Sequence, residues 1–147
     1  TTLIKKELKN GNLTDVYNML GRFYRICGIV SRGRGVGRTI ELPTANIITN
    51  ENYVKVKPGV YGVIVTILGN RYIGLANYGH NPSFNYKNEL TLEVNIINCN
   101  HDLYNQNIII DFVTYIRNEQ VFVSKLEFLE QIEKDKKKII EIVNKYL

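Results

Sequence analysis

Three short stretches combine residue types and spacings suited to phosphate chemistry. The first is Arg32-Gly33-Arg34-Gly35-Val36-Gly37-Arg38-Thr39. Glycines let backbone N–H groups approach an anion, and arginines add charge-assisted bonds to phosphate. The stretch has neither the GxxxxGK[ST] spacing of a P-loop nor a following helix, because Glu41-Leu42-Pro43 cannot open one. On composition alone, a basic turn between strands accounts for it equally well, and a short RGG-type RNA contact is a third reading. Directly behind it stands Pro43-Thr44-Ala45-Asn46. Its hydroxyl and amide oxygens are hard, neutral ligands suited to a Mg²⁺ ion that keeps mostly water and phosphate around it. An Asx turn is the ordinary explanation for such a tetrapeptide. The third is Thr91-Leu92-Glu93-Val94-Asn95-Ile96. Strand alternation puts Leu92, Val94 and Ile96 on a core face and Thr91, Glu93 and Asn95 on the other. A carboxylate fixed on a strand can serve as a general base toward a hydroxyl, although most isolated strand glutamates only face solvent.

These stretches need elements to hold them. Asn12 can cap a short helix in which Leu13, Val16, Tyr17 and Leu20 recur at helical spacing, and Gly21 stops it. From Phe23 the period changes to two, predicting a strand over residues 24–30 that runs into the Gly/Arg loop. Residues 42–48 contain Pro43 and predict an irregular or edge strand. Strands are further predicted over 58–68, 71–78, 90–98 and 108–116, with Gly69-Asn70 as a hairpin turn between the first two. Ser124 and Glu127 form a capping box, followed by Leu126, Leu129, Ile132, Ile139, Val143 and Leu147 along one face of a long helix. Lys134, Lys136, Lys137 and Lys138 fall mostly off that face and read as solvated. The order predicts a mainly β protein, a closed or nearly closed antiparallel barrel flanked by helix.

Composition sets the outer bounds. The chain has 147 residues, 44% hydrophobic and 22% charged, which excludes a disordered chain. Nineteen Lys and Arg against 14 Asp and Glu give a net charge of +5, compatible with an anionic ligand and too small to establish nucleic-acid binding. Polar residues interrupt every apolar run well short of the ~20 residues of a membrane-spanning helix. Cys27 and Cys99 form no CxxC pair and read as reduced core residues of a cytoplasmic protein, and His80 and His101 form no ligand cluster. The chain opens on Thr1, with neither a Met nor a signal peptide, which suggests a piece of something longer.

Over nearly its whole length the chain resembles the riboflavin kinases, in the form found as the C-terminal module of bacterial bifunctional riboflavin kinase/FAD synthetases. The resemblance runs through Leu20-Gly21-Arg22-Phe23-Tyr24, Gly28-Ile29-Val30, Gly33 to Arg38 and Pro43-Thr44-Ala45-Asn46. It continues through Lys57-Pro58-Gly59-Val60-Tyr61, Ala76-Asn77-Tyr78-Gly79, Asn81-Pro82-Ser83-Phe84 and Leu92-Glu93-Val94. Asp102-Leu103-Tyr104, Arg117-Asn118-Glu119 and Phe122 complete it. No single motif decides the matter; the ordered set is what is specific.

The resemblance implies a six-stranded antiparallel Greek-key barrel with a short N-terminal and a long C-terminal helix. It implies transfer of the γ-phosphate of ATP to the ribityl 5′-hydroxyl of riboflavin, giving FMN and ADP. Thr44 and Asn46 would hold Mg²⁺ and the nucleotide phosphates, with Gly33, Gly35, Gly37, Arg38 and Pro43 around them. Glu93 would be the catalytic base, and Arg117 and Glu119 would meet the flavin. Residues 1–21, from Thr1-Thr2-Leu3-Ile4-Lys5 onward, look like the closing stretch of an adenylyltransferase domain, leaving 22–147 as the kinase domain. A covalently linked FAD synthetase domain is thus expected, with neither membrane nor nucleic acid as partner. Three positions depart from the family pattern. Glu41 stands where Gly is usual and would weaken phosphate binding, Asn95 stands where His is frequent, and Asn105 replaces a Gly that needs positive φ. The competing class is a non-catalytic barrel that binds a flavin or a nucleic acid.

Overall fold

A computed structural model describes residues 2–31, 45–49, 53, 55–80, 90–99 and 103–147. Among them, two short helices come first, α1 (Thr2–Asn10) and α2 (Leu13–Leu20). Six strands follow: β1 (Tyr24–Ser31), β2 (Ala45–Ile48), β3 (Gly59–Ile67), β4 (Asn70–His80), β5 (Leu90–Ile96) and β6 (Asn107–Arg117). A long helix, α3 (Lys125–Val143), and a 3₁₀ turn over Asn144–Tyr146 close the chain.

The strands form a closed barrel in the order β1-β2-β5-β4-β3-β6, and every pairing is antiparallel. β3, β4 and β5 are a meander, while β2 pairs with β5 instead of its sequence neighbour β3, which is the Greek-key crossover. Closure corrects one expectation: β2 has partners on both sides and is not an edge strand.

Alternation fills the inside. Ile26 and Val30 of β1, Val63, Val65 and Ile67 of β3, Leu92 and Val94 of β5, and Ile108, Ile110 and Phe112 of β6 share one core cluster. Leu13 and Val16 join it from α2, as the helical spacing predicts. Leu8 of α1 does so too, and its carbonyl accepts a bond from the Lys57 N–H at 3.0 Å. α1 was not expected as a helix, because Lys5, Lys6, Glu7 and Lys9 leave it few apolar positions. Asn12 stands at the start of α2 without capping it; its amide donates to Glu7 Oε2 at 2.6 Å instead. Gly21 ends α2 at φ 74°, its N–H on the Tyr17 carbonyl.

A second cluster lies outside the barrel, where Ile132, Ile139 and Val143 of α3 cover Val60 and Ile64 of β3, Leu75 of β4 and Val113 of β6. β3 is therefore buried on both faces, and Gly62 lets the helix come close: a Cβ there would lie 2.9 Å from Thr114 Cγ2 and 3.1 Å from Val143 Cγ2. Ser124 Oγ accepts the Glu127 N–H at 3.1 Å, as the capping box predicts. The apolar face begins later than predicted. Leu126 is exposed and precedes the contact with the barrel, and Leu147 lies exposed beyond it.

Two further expectations shift. The β3–β4 hairpin turns on Leu68-Gly69, both at positive φ (51° and 77°), and not on Gly69-Asn70. Inward placement of Val63, Val65 and Ile67 fixes the register, so Ile67 pairs with Asn70 and the turn falls between them. Cys27 is on the outward face of β1 and exposed, not in the core; both cysteines are free.

Candidate active site

One row of paired residues runs across all six strands. Ser31 pairs with Asn46, Asn46 with Glu93, Glu93 with Asn77, Asn77 with Val60, and Val60 with Arg117. Residues directly opposite in antiparallel ladders share a face. Leu92 and Val94 point inward, so this row lies on the outside of the barrel. Neighbouring strands are about 4.8 Å apart, which brings Asn46, Glu93 and Asn77 within about 10 Å of one another. Glu93 is in the middle, half-buried, with an amide side chain on each flanking strand.

The row therefore brings together Asn46 and Glu93, two residues that stand 47 positions apart in the chain. Asn77 is a third member that the sequence reading left without a role. Its parity along β4 matches that of Glu93 along β5, but only the register reveals this. Gly33, Gly35, Gly37, Arg38, Pro43 and Thr44, like Glu41, lie outside the described residues. Asn105 adopts φ 66°, the positive value its position requires, and its N–H bonds the Val30 carbonyl at 2.8 Å.

Arg117 and Glu119 bound the row at β6. The β3–β6 ladder slips between Val60 and Tyr61, so that Tyr61 faces Tyr115 while Val60 faces Arg117. The extra residue aims Arg117 outward. Its Nε and Nη2 each lie 2.9 Å from Asp135 Oδ2 of α3, and its Nη1 donates to the Asn118 carbonyl at 3.1 Å. The chain then crosses the start of β3. Gly59, at φ 150°, makes room, since a Cβ there would lie 2.5 Å from the Arg117 carbonyl. Glu119 lies on Gly79 of β4, where a Cβ would be 2.2 Å from Oε1. Gly79 pairs with Thr91, whose hydroxyl donates to the Gly79 carbonyl at 3.3 Å. The Glu119 carboxylate is thus one outward position along the ladder from the Asn77–Glu93 pair.

Two further features lie on either side of the Asn77–Glu93 pair, one toward Gly79 and one away from it. Tyr78, next to Gly79, has its phenol pKa raised by burial. A groove of about 400 Å³ begins at Asn95, two residues along β5 from Glu93, and continues to Glu133, Lys136 and Lys137 of α3. Among the described residues no three His, Cys, Asp or Glu side chains form a metal-holding group. Asn46 offers one neutral oxygen on this face, and the other expected ligand, Thr44, lies outside the described residues. A hard, neutral oxygen of this kind fits a Mg²⁺ ion whose other ligands would come from a nucleotide and water.

Comparison with known proteins gives this geometry a family. The Flavokinase family, described as riboflavin kinase, matches residues 20–143. The bifunctional riboflavin kinase/FMN adenylyltransferase of Bacillus subtilis is 38% identical over 142 residues, covering 95% of this chain and 45% of that protein. The protein of the same name from Buchnera aphidicola of Acyrthosiphon pisum is 41% identical over 149 residues, covering 99% of this chain and 46% of its own length. The chain thus spans about half the length of the curated relatives it matches. Among solved structures, one described as a macrolide-efflux protein from Streptococcus pneumoniae superposes with a TM-score of 0.85 at 31% identity, over 93% of this chain and 45% of that one. A riboflavin kinase from Trypanosoma brucei shares the fold, with a TM-score of 0.59 at 22% identity over 82% of this chain and 77% of its own. With its barrel, its outward glutamate and its ordered motifs matched from residue 20 to residue 143, the chain belongs to the riboflavin kinase family.

Proposed function

We propose that this chain transfers the γ-phosphate of ATP to the 5′-hydroxyl of the ribityl chain of riboflavin, giving FMN and ADP. The observation that carries the reading is the Asn46–Glu93 pair on the outer face of a barrel of this family. Phosphoryl transfer needs little covalent chemistry from a protein; it needs the acceptor hydroxyl held in line with the γ-phosphate and the developing charge neutralised. Glu93 accepts the proton of the ribityl hydroxyl as its oxygen bonds to phosphorus and the bond to the ADP oxygen breaks. A strand position flanked on both sides gives its carboxylate a fixed direction, and Asn46 and Asn77 offer amides at the same level. Thr44 and Asn46 would hold Mg²⁺, which neutralises phosphate charge when the nucleotide is bound. Gly33, Gly35, Gly37, Arg38 and Pro43 would complete the nucleotide side. Arg117 and Glu119 frame the flavin side, where residues 117–119 cross the strand ends beside Glu93.

The lengths of the relatives support a covalently linked FAD synthetase domain, with 1–21 as the connection and 22–147 as the kinase domain. Among the described residues no helix is long and apolar enough to cross a membrane. A cytoplasmic location is inferred from the proposed substrates, ATP and riboflavin. The test is direct: the chain is incubated with riboflavin, ATP and Mg²⁺, and FMN is measured by chromatography. FMN above a no-protein control is expected. Saturable riboflavin binding without FMN would indicate a flavin carrier, and salt-dependent RNA binding without riboflavin binding would indicate a nucleic-acid module.

A further inference from the structure

The buried stripe of α3 contains one residue that does not belong to an apolar face. Ile132, Ile139 and Val143 are 5%, 0% and 0% exposed, and Asp135 between them is 3% exposed. Desolvating a carboxylate is unfavourable, and an apolar residue at such a position is commonly neutral or stabilising. A local rule broken in this way calls for a role other than stability. The contacts of Asp135 supply one. Oδ2 receives the Arg117 guanidinium at 2.9 Å and Oδ1 receives the Gln131 amide at 3.0 Å. Arg117 in turn lies over the Phe122 ring, 5.6 Å from its centroid, and Phe122 meets Phe128 edge-on at 5.3 Å. Both ends of the segment 117–122 are therefore gathered on α3 around Asp135. Arg117 passes over Gly59, and the middle of the segment reaches Gly79, where Glu119 lies one outward position along the ladder from the Asn77–Glu93 pair.

We propose that Asp135 is a positioning residue for riboflavin binding. It fixes Arg117 so that residues 118–122 fold back along the outer face and present Glu119 at the Glu93 end of the barrel. The inference rests on the riboflavin kinase reading for its substrate and on the contacts above for its geometry. Asp135 is too far along α3 to be counted with the site from sequence, and it acts only through Arg117.

The test uses Asp135→Asn, which keeps the shape of the side chain and removes its charge, alongside Arg117→Ala and the double variant. The KM for riboflavin should rise by roughly ten- to a hundredfold, the cost of a misplaced binding wall, while kcat and the KM for ATP stay within about twofold. Because both residues act in one unit, the double variant should be no worse than the worse single variant. Backbone order parameters of residues 118–122, measured by NMR without substrate, should fall from about 0.85 to below about 0.6, with the strands unchanged. An unaltered KM for riboflavin in a folded Asp135→Asn variant overturns the proposal. So does a parallel loss of kcat and of both affinities with loosened strands, which marks a merely structural role. If the unaltered chain makes no FMN, the kinase reading fails separately, and unchanged order at 118–122 in Asp135→Asn would then overturn the positioning role on its own.

Discussion

Asn46 and Glu93 stand directly opposite each other on β2 and β5, on the outer face of the barrel, with Asn77 on the far side of Glu93. In the proposed reaction this arrangement would separate two jobs by strand: β2 would carry a neutral oxygen ligand and β5 the base. Glu93→Gln keeps the size and the hydrogen-bonding capacity of the side chain while removing its ability to take a proton. Turnover should fall by about 10²–10⁴, with riboflavin binding and thermal unfolding unchanged. Turnover within a few-fold of the unaltered chain would remove Glu93 from the chemistry.

The proposed ligands Thr44 and Asn46 would set the behaviour of the metal. One hydroxyl and one amide oxygen are too few ligands for a dedicated Mg²⁺ cage, so the ion should arrive with its nucleotide. Calorimetry should show saturable binding of ADP with Mg²⁺ and no comparable heat from Mg²⁺ alone. Tight binding of the free ion would contradict this and point to further protein ligands.

What the sequence revealed and what it withheld divide along physical lines. Period-two alternation showed that Leu92 and Val94 face in and Glu93 faces out, and the structure agrees. The helix stop at Gly21 and the cap at Ser124 were legible because each depends on a few adjacent residues. The row Asn46–Glu93–Asn77 was not, because register between distant strands is set by the whole barrel. Nor was the aim of Arg117, which depends on a ladder slip between Val60 and Tyr61 that no local pattern announces. The late start of the buried face of α3 has the same origin: Leu126 fits the helical period, but the barrel surface does not reach it.

Gly79 tests the flavin side. A methyl group at this position would fall 2.2 Å from Glu119 Oε1, so Gly79→Ala must displace the carboxylate from the strand. The far end of a flexible side chain can move at little cost to the fold. The expected result is therefore a KM for riboflavin raised by roughly tenfold with little change in unfolding midpoint. An unchanged KM would mean that Glu119 is not part of the flavin wall in the working enzyme.

Tyr61 gives the fold a specific weakness in alkali. Its ring is fully buried against Phe112 and Tyr115, and its hydroxyl donates to the Lys57 carbonyl at 2.5 Å. Burial first, then the nearby Tyr115 and Tyr78, raise its phenol pKa well above the usual value. The folded state therefore holds this proton after the unfolded state has released it, and the stability it contributes is fully present below about pH 10 and is lost as pH rises beyond. The slope for one such group is about 1.4 kcal/mol per pH unit. Tyr61→Phe should cost about 1 kcal/mol at neutral pH through the lost hydrogen bond. Above about pH 10 it should shed less stability per pH unit than the unaltered chain, with a residual slope from Tyr78. Urea midpoints measured across that range decide it; parallel losses in the two proteins would show that Tyr61 does not titrate on unfolding.

The last prediction concerns what this chain does not make. FAD synthesis requires attack on the α-phosphate of ATP and a second anion cradle, of the kind that a Rossmann-like domain supplies with a helix N-terminus. Every described strand of this chain is committed to one closed barrel, and the curated relatives with both names are about twice its length. In the proposed reading the Asn46–Glu93 pair would present one base and one metal-binding amide, a set suited to a terminal phosphate and a single hydroxyl acceptor. Given riboflavin, ATP and Mg²⁺, these 147 residues should accumulate FMN as the end product. Given FMN in place of riboflavin, they should form no FAD above a no-protein control in the chromatogram. Catalytic FAD formation would mean that the barrel, or residues 1–21 beside it, houses a nucleotidyl-transfer site distinct from the Glu93 face, and Glu93→Gln would then leave FAD formation intact.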